Sequence, residues 1–251
     1  MVEVAPSEID LKSFRKQQTL CPKIWSDDNK IKSIVRLRLL DIADDFIDWI
    51  NMPWIKSEGI ILTGSICNYN WSSFSDIDLH IQVEFSKVDD RIDFVQSYFD
   101  SKKNEWNDNH DGLKIYGFPV ELYVEDINAQ TASQGIYDLE KNDWIKYPKQ
   151  HEERSSEEDK EFIKNKASHI MTKIDKICDK VAKTNDKEKL LLLNRKINGC
   201  LAKLKKMRQY GLKRGGESDP FNIVYKVIRR TNYMTKLWNA SEYIYNNVNS
   251  L

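Results

Sequence analysis

An apolar strand, a Gly-Ser turn and a second strand carrying two aspartates follow one another over residues 60–83, IILTGSICNYNWSSFSDIDLHIQV. Strand side chains alternate between faces, so Asp76 and Asp78, at i and i+2, project side by side. Carboxylates held that close repel each other unless a cation sits between them. Hard divalent ions such as Mg²⁺ take oxygen ligands and share them with phosphates. Gly64 lets the backbone approach an anion closely, and the amides and hydroxyl at Ser65 receive a phosphate if a helix starts there. Ten residues separate Ser65 from Asp76. The pattern predicts a strand-turn-strand unit equipped for metal-assisted phosphoryl transfer.

A third acid is expected on a strand entering the same sheet. The segment LKIYGFPVELYVED predicts strands near 113–116 and 120–124 with a turn at Gly117. Glu121 lies between Val120 and Leu122, an acid in a strand interior that needs a partner or a metal. Glu125 shares its face but falls near the strand end, where solvent contact is the simpler account. Glu121, rather than Glu125 or Asp126, is therefore assigned as third ligand. His80 shares the face of Asp76 and Asp78; it reads as a histidine packed at the sheet edge, with a substrate contact as the alternative.

The Gly64–Ser65 turn, the Asp76-Ile77-Asp78 strand and the later Glu121 resemble the nucleotidyltransferase superfamily typified by DNA polymerase β. With IADDFIDWI, GIYDLEKNDWIKYP and GESDPFNIVYKVIRRTNYMTKL, the chain also looks like small nucleotidyltransferases often encoded by tailed bacteriophages, from about Cys21 to Leu237. The resemblance implies two Mg²⁺ or Mn²⁺ ions bridged by Asp76 and Asp78, with Glu121 holding the one at the nucleophile and Ser65 on the β- or γ-phosphate. It implies transfer of a nucleoside monophosphate from an NTP to a hydroxyl, with an RNA or tRNA 3′ end as first acceptor. A cyclic-oligonucleotide synthase and a catalytically silent nucleotide-binding protein are the alternatives. One departure is the run Cys67-Asn68-Tyr69-Asn70-Trp71, where many small superfamily members carry an Ala-Arg-Gly-like run; it weakens any analogy to antibiotic-modifying enzymes.

A net charge of zero conceals a division along the chain. Residues 1–160 carry 19 Lys/Arg against 31 Asp/Glu, and residues 161–251 carry 20 against 8. The expected architecture is α+β: a small mixed sheet with flanking helices over 1–150, then a helical domain over 151–251. Ser26-Asp27-Asp28-Asn29 offers N-cap chemistry for a helix running to Ile50, and a second helix is expected over 89–102. Residues 126–150 show no clear period and read as a long connection, with Tyr137, Trp144, Lys146 and Tyr147 pinning it or meeting a nucleotide. Helices are expected over 156–183, 187–210 and 220–239, with Gly211, Gly215 and Gly216 breaking the second from the third.

Lys226, Arg229 and Arg230 fall at i, i+3 and i+4 on the last of these helices and share one face. They are candidates for holding the triphosphate or an RNA backbone, or for an ion pair with the acidic N-terminal half. Cys21, Cys67, Cys178 and Cys200 have no metal-ligand spacing and read as reduced thiols. No apolar run reaches transmembrane length, and the first residues lack a signal peptide's apolar core, so a cytoplasmic location is expected, including that of an infected host cell.

Overall fold

The computed structural model describes residues 4–129, 133–150 and 156–250. Two compact units emerge, Ser13–Glu153 and a second formed by Met1–Lys12 with Arg154–Leu251. This corrects the expected 1–150 domain at its start, because the N-terminal segment belongs with the helices: Ser168 Oγ donates to the Val4 carbonyl at 2.8 Å, and Ile9 is buried. Residues 151–155 of the expected charged bridge lie outside the described residues.

The Ser13–Glu153 unit is α+β. Its strands are β1 (Gly59–Thr63), β2 (Ile77–Val83), β3 (Lys114–Ile115), β4 (Phe118–Asp126), β5 (Ile136–Asp138) and β6 (Asp143–Lys146), with helices α1 (Ser33–Ile50) and α2 (Ile92–Asn109). They form one sheet in the order β3-β4-β2-β1-β5-β6. β2 and β4 run parallel and the other neighbours antiparallel. Parallel neighbours need a crossover, which α2 supplies.

Alternation along β2 and β4 divides core from site. Ile77, Leu79, Ile81 and Val83, with Phe118, Val120, Leu122 and Val124, are buried together with Val35, Leu39 and Phe46 of α1 and Val95, Phe99 and Trp106 of α2. The opposite face therefore carries Asp78, His80 and Gln82 beside Glu121, Tyr123 and Glu125, none of them fully buried.

Two expected helix starts moved for local reasons. α1 starts at Ser33 because the polar cluster before it satisfies itself: Ser26 Oγ donates to Asp28 and to the Lys30 carbonyl, and a Trp25–Ile31 bridge closes the turn. α2 starts at Ile92 because Asp89 accepts from the backbone and guanidinium of Arg91, and it continues to Asn109. Residues 126–150, expected to be irregular, contain β5 and β6. Three- and four-residue strands are too short to display a period, and what makes β5 a strand is the edge of β1, where Leu62 pairs with Tyr137.

The second unit contains α3 (Glu157–Ala182), α4 (Lys187–Gly215), α5 (Pro220–Arg230) and α6 (Tyr233–Asn249). Ser156 caps α3 reciprocally with Asp159, Asp186 caps α4, and Asp219 caps α5 ahead of Pro220. Gly211 does not break α4 as expected. A Cβ there would lie 2.7 Å from the Asn222 nitrogen, so this glycine permits the close approach of α4 to α5. The expected 220–239 helix is instead divided at Asn232, which takes a left-handed φ of 62° that Asn tolerates. Among the described residues no helix is long and apolar enough to cross a membrane.

β3 pairs with only the first two residues of β4, leaving the rest of that edge to other groups. The Asn107 side chain substitutes for a strand there: Leu122 N donates to its Oδ1 and its Nδ2 donates to Leu122 O, both at 3.0 Å. Asn107→Ala strands both backbone groups and is expected to cost about 2 kcal/mol or more. Urea unfolding should show a lower midpoint with unchanged slope.

Candidate metal centre

Parallel pairing sets Asp78 directly beside Glu121, and Asp76, just ahead of β2, has the same parity as Asp78. One carboxylate oxygen from each of Asp76, Asp78 and Glu121 lies within 4.8 Å of the others, and all three residues are half-buried. These are the three acids selected from the sequence. At that separation two carboxylates repel by about 3 kcal/mol for an effective dielectric near 20, so the cluster could hold a cation that offsets the repulsion. An all-oxygen donor set suits Mg²⁺, Mn²⁺ or Ca²⁺ rather than a thiophilic metal. The nearby Cys67 is fully buried; burial pushes its thiol pKa well up and the charge of Asp78 adds to this, so it stays protonated and offers no thiolate.

The Gly-Ser turn abuts the acids. Thr63, the last residue of β1, pairs with Asp78, and Gly64 then turns with φ 72°. A Cβ at Gly64 would sit 1.6 Å from Asp78 Oδ2, so only glycine fits beneath that carboxylate. Ser65 Oγ donates to Ser75 Oγ at 2.8 Å, and Ser75 Oγ accepts from Ser72 N at 3.0 Å. The expected helix start at Ser65 is a single 3₁₀ turn, Ser65–Cys67, too short to supply a helix macrodipole. An anion here would have no helix dipole to meet, only the turn's backbone and the Ser65 hydroxyl beside the Asp78 carboxylate. Asn68 Nδ2 donates to Gly64 O (2.5 Å) and Trp25 Nε1 to Ile66 O (2.9 Å), which fixes the turn. Trp25 is itself held by stacking on Trp144 at 4.6 Å and by the edge of Tyr137 at 5.0 Å. Tyr137 and Trp144 thus pin the segment, one of the two roles expected of them.

Sequence reasoning missed the groups behind Glu121. Tyr123 OH donates to Glu121 Oε2 at 2.6 Å; burial first, and that hydrogen bond second, push the phenol pKa up, so it remains a donor. His80 stacks on Tyr123 at 4.9 Å, with Nε2 3.0 Å from Thr63 Oγ1 and Nδ1 2.9 Å from Glu125 Oε2. Both imidazole nitrogens are thereby engaged. Glu125 is not the solvent-facing acid expected, since only 18% of its side chain is exposed and it also accepts from Gln82 at 3.1 Å. The i+2 spacing of Tyr123 from Glu121 was the available signal for this network.

Lys226, Arg229 and Arg230 belong to the other compact unit. Lys226 is ion-paired to Glu217 of its own unit and not to the acidic N-terminal half, one of the two readings of this cluster. Arg229 is exposed on the last turn of α5, and Arg230 is half-buried. No family model matches the chain, and no curated protein or solved structure matches it significantly.

Two expectations follow. Gly64→Ala should lower stability by more than ~2 kcal/mol, because it combines strain at positive φ with a collision at Asp78. It should weaken Mn²⁺ binding in parallel, measured by calorimetry at a temperature where the variant is folded. Lys226→Met tests the Glu217 pair. Burial acts to raise the Glu217 pKa, but Lys226, Arg208 and Asn222 together hold it below 4.5. A depressed carboxylate stabilises the fold above its unfolded pKa, and the benefit disappears as pH falls through the folded value. The variant should lose about 0.5–1 kcal/mol near neutrality for this partly exposed pair, and the difference from wild type should close below pH 4.5.

Proposed function

We propose that this chain is a divalent-metal-dependent nucleotidyltransferase that moves a nucleoside monophosphate from an NTP to a hydroxyl acceptor and releases pyrophosphate. The observation that carries this reading is the meeting of Asp76, Asp78 and Glu121 against the Gly64–Ser65 turn. In the proposed reaction the acceptor oxygen bonds to the α-phosphorus while the α–β bridging P–O bond breaks. Pyrophosphate leaves with the electron pair, and the hydroxyl proton passes to solvent.

Asp76, Asp78 and Glu121 would hold one or two Mg²⁺ or Mn²⁺ ions. Such ions, when bound, supply Lewis acidity at the attacking hydroxyl and neutralise charge on the leaving pyrophosphate. The Asp78 carboxylate fills the space that a Gly64 side chain would take, so a phosphate reaching the turn would meet the Ser65 hydroxyl, which can turn from Ser75 to donate to it. Tyr123 orients Glu121 through its hydroxyl, leaving the other carboxylate oxygen for a cation. His80, fixed between Thr63 and Glu125, stays a structural group in this scheme. The preferred acceptor is an RNA 3′ end.

Incubating the protein with each labelled NTP and total RNA, with and without Mg²⁺, tests the reading. RNA extended by one or a few nucleotides is the expected product. Asp76→Asn, Asp78→Asn and Glu121→Gln should each reduce transfer by at least ~10²-fold, the loss of several kcal/mol of transition-state stabilisation. Asp76→Asn should also raise the metal-free melting temperature by a few degrees as repulsion is relieved, and abolish the stabilisation that Mg²⁺ gives the wild type. Short phosphatase-resistant products from NTPs alone would indicate a cyclic-oligonucleotide synthase. Metal binding without any product would indicate a silent nucleotide-binding protein.

A further inference from the structure

The helical unit contains a groove of about 480 Å³ between α3 and α4. Five exposed lysines surround it, Lys173, Lys176 and Lys180 from α3 with Lys196 and Lys203 from α4. Its floor is apolar, formed by Ile177, Leu193 and the half-buried Cys200 beside Gly199, and none of the described residues lining it is acidic. The acids of α3 sit elsewhere on that helix. Asp175 faces α6, where it accepts from Tyr233 OH at 3.0 Å and pairs with Lys236, and Asp179 contributes its charge to the same cluster. Beyond residue 170 the helix therefore turns Asp175 toward α6 and presents Lys173, Lys176 and Lys180 to the groove.

This arrangement has a physical cost. Like charges one helical turn apart repel, by a few tenths of a kcal/mol per pair. The charges of Lys173 and Lys203 both act on the Cys200 thiol in the floor, on which burial is the larger influence. Residues 161–251 carry a surplus of 12 positive charges.

We propose that this groove binds single-stranded nucleic acid, with backbone phosphates on the five lysines and bases against the apolar floor. Lysine is a compact point charge suited to phosphate oxygens without demanding a fixed geometry. A duplex keeps its bases in the stack and would present only phosphates to the rim, leaving the apolar floor wet. A single strand can turn a base onto Ile177 and Leu193 while its backbone follows the lysines. An acidic peptide would satisfy the rim alone, because its carboxylate side chains bring no flat apolar group to the floor. The inference does not depend on the acid cluster, and either can fail alone.

Fluorescence anisotropy with a labelled 20-nucleotide oligo(U), across a salt series, tests the groove directly. Five phosphate contacts on a single strand give a slope of log K against log salt near −3.5. The triple variant Lys173→Gln, Lys196→Gln and Lys203→Gln should reduce that slope by about 2 and weaken binding by on the order of tenfold or more. Gln keeps the helix propensity of Lys, so circular dichroism should be unchanged. A control triple at Lys166, Lys205 and Lys206 removes the same charge from outside the groove and should retain most of the affinity. Bound oligonucleotide should also slow alkylation of Cys200 but not of Cys178, which contacts the Lys236 carbonyl of α6. The proposal is overturned if the groove variant binds as wild type does or no worse than the control triple. It also fails if Cys200 stays equally reactive, if a duplex of equal length binds as tightly, or if polyglutamate displaces the RNA at equal charge concentration.

Discussion

Parallel pairing of β2 with β4, in the register that sets Asp78 beside Glu121, is the constraint on which the polar face depends. The register is not chosen by the carboxylates, which repel one another. It is chosen by the other face, where four residues from each strand enter one apolar core. Burying a side chain of this size is worth about 1.5–3 kcal/mol, so the eight together far outweigh a repulsion of a few kcal/mol among three acids. A slip of one residue would turn Glu121 into the core and Val120 or Leu122 outward. Burial on one side of the sheet thus holds like charges together on the other.

Behind the acids, the polar face is largely self-satisfied. Glu125 fixes His80, His80 stacks on Tyr123, and Tyr123 donates to Glu121. Thr63 ties the same histidine to β1, the strand that leads into the Gly64 turn. Trp25 and Asn68 hold that turn from the opposite side through the carbonyls of Ile66 and Gly64. Glu121, Ser65 and the Gly64 turn are therefore each set by a hydrogen bond, which is the arrangement that preorganised chemistry requires.

The basic half of the chain separates into two kinds of cation. Lys226, Arg214 and Lys236 are bound to Glu217, Asp219 and Asp175 within the same unit and serve its folding. Five lysines between α3 and α4 surround a groove with no acid among the described residues that line it. Net charge by itself could not distinguish the two, because a lysine at a helix end and a lysine over a groove contribute equally to a count.

The strand-turn-strand motif, the third acid and the helical C-terminal half were legible in the sequence because each rests on local rules: period-2 alternation, the steric freedom of glycine and helical periodicity. Boundaries were less legible where short polar side chains had two ways to be satisfied, as at Ser26 and Asp28, which close a turn rather than cap α1. The β5–β6 hairpin, the Asn107 substitute for an edge strand and the partner of Lys226 could not be read at all, since each is created by a group distant in sequence or by an edge that exists only once the sheet has formed. The sequence alone determined which faces are apolar and which residues carry carboxylates, because periodicity is a property of the local backbone. Only the tertiary structure decided which carboxylates meet and which stay apart. Register between β2 and β4 is set by the packing of a shared core, and that packing is a sum over contacts far apart along the chain.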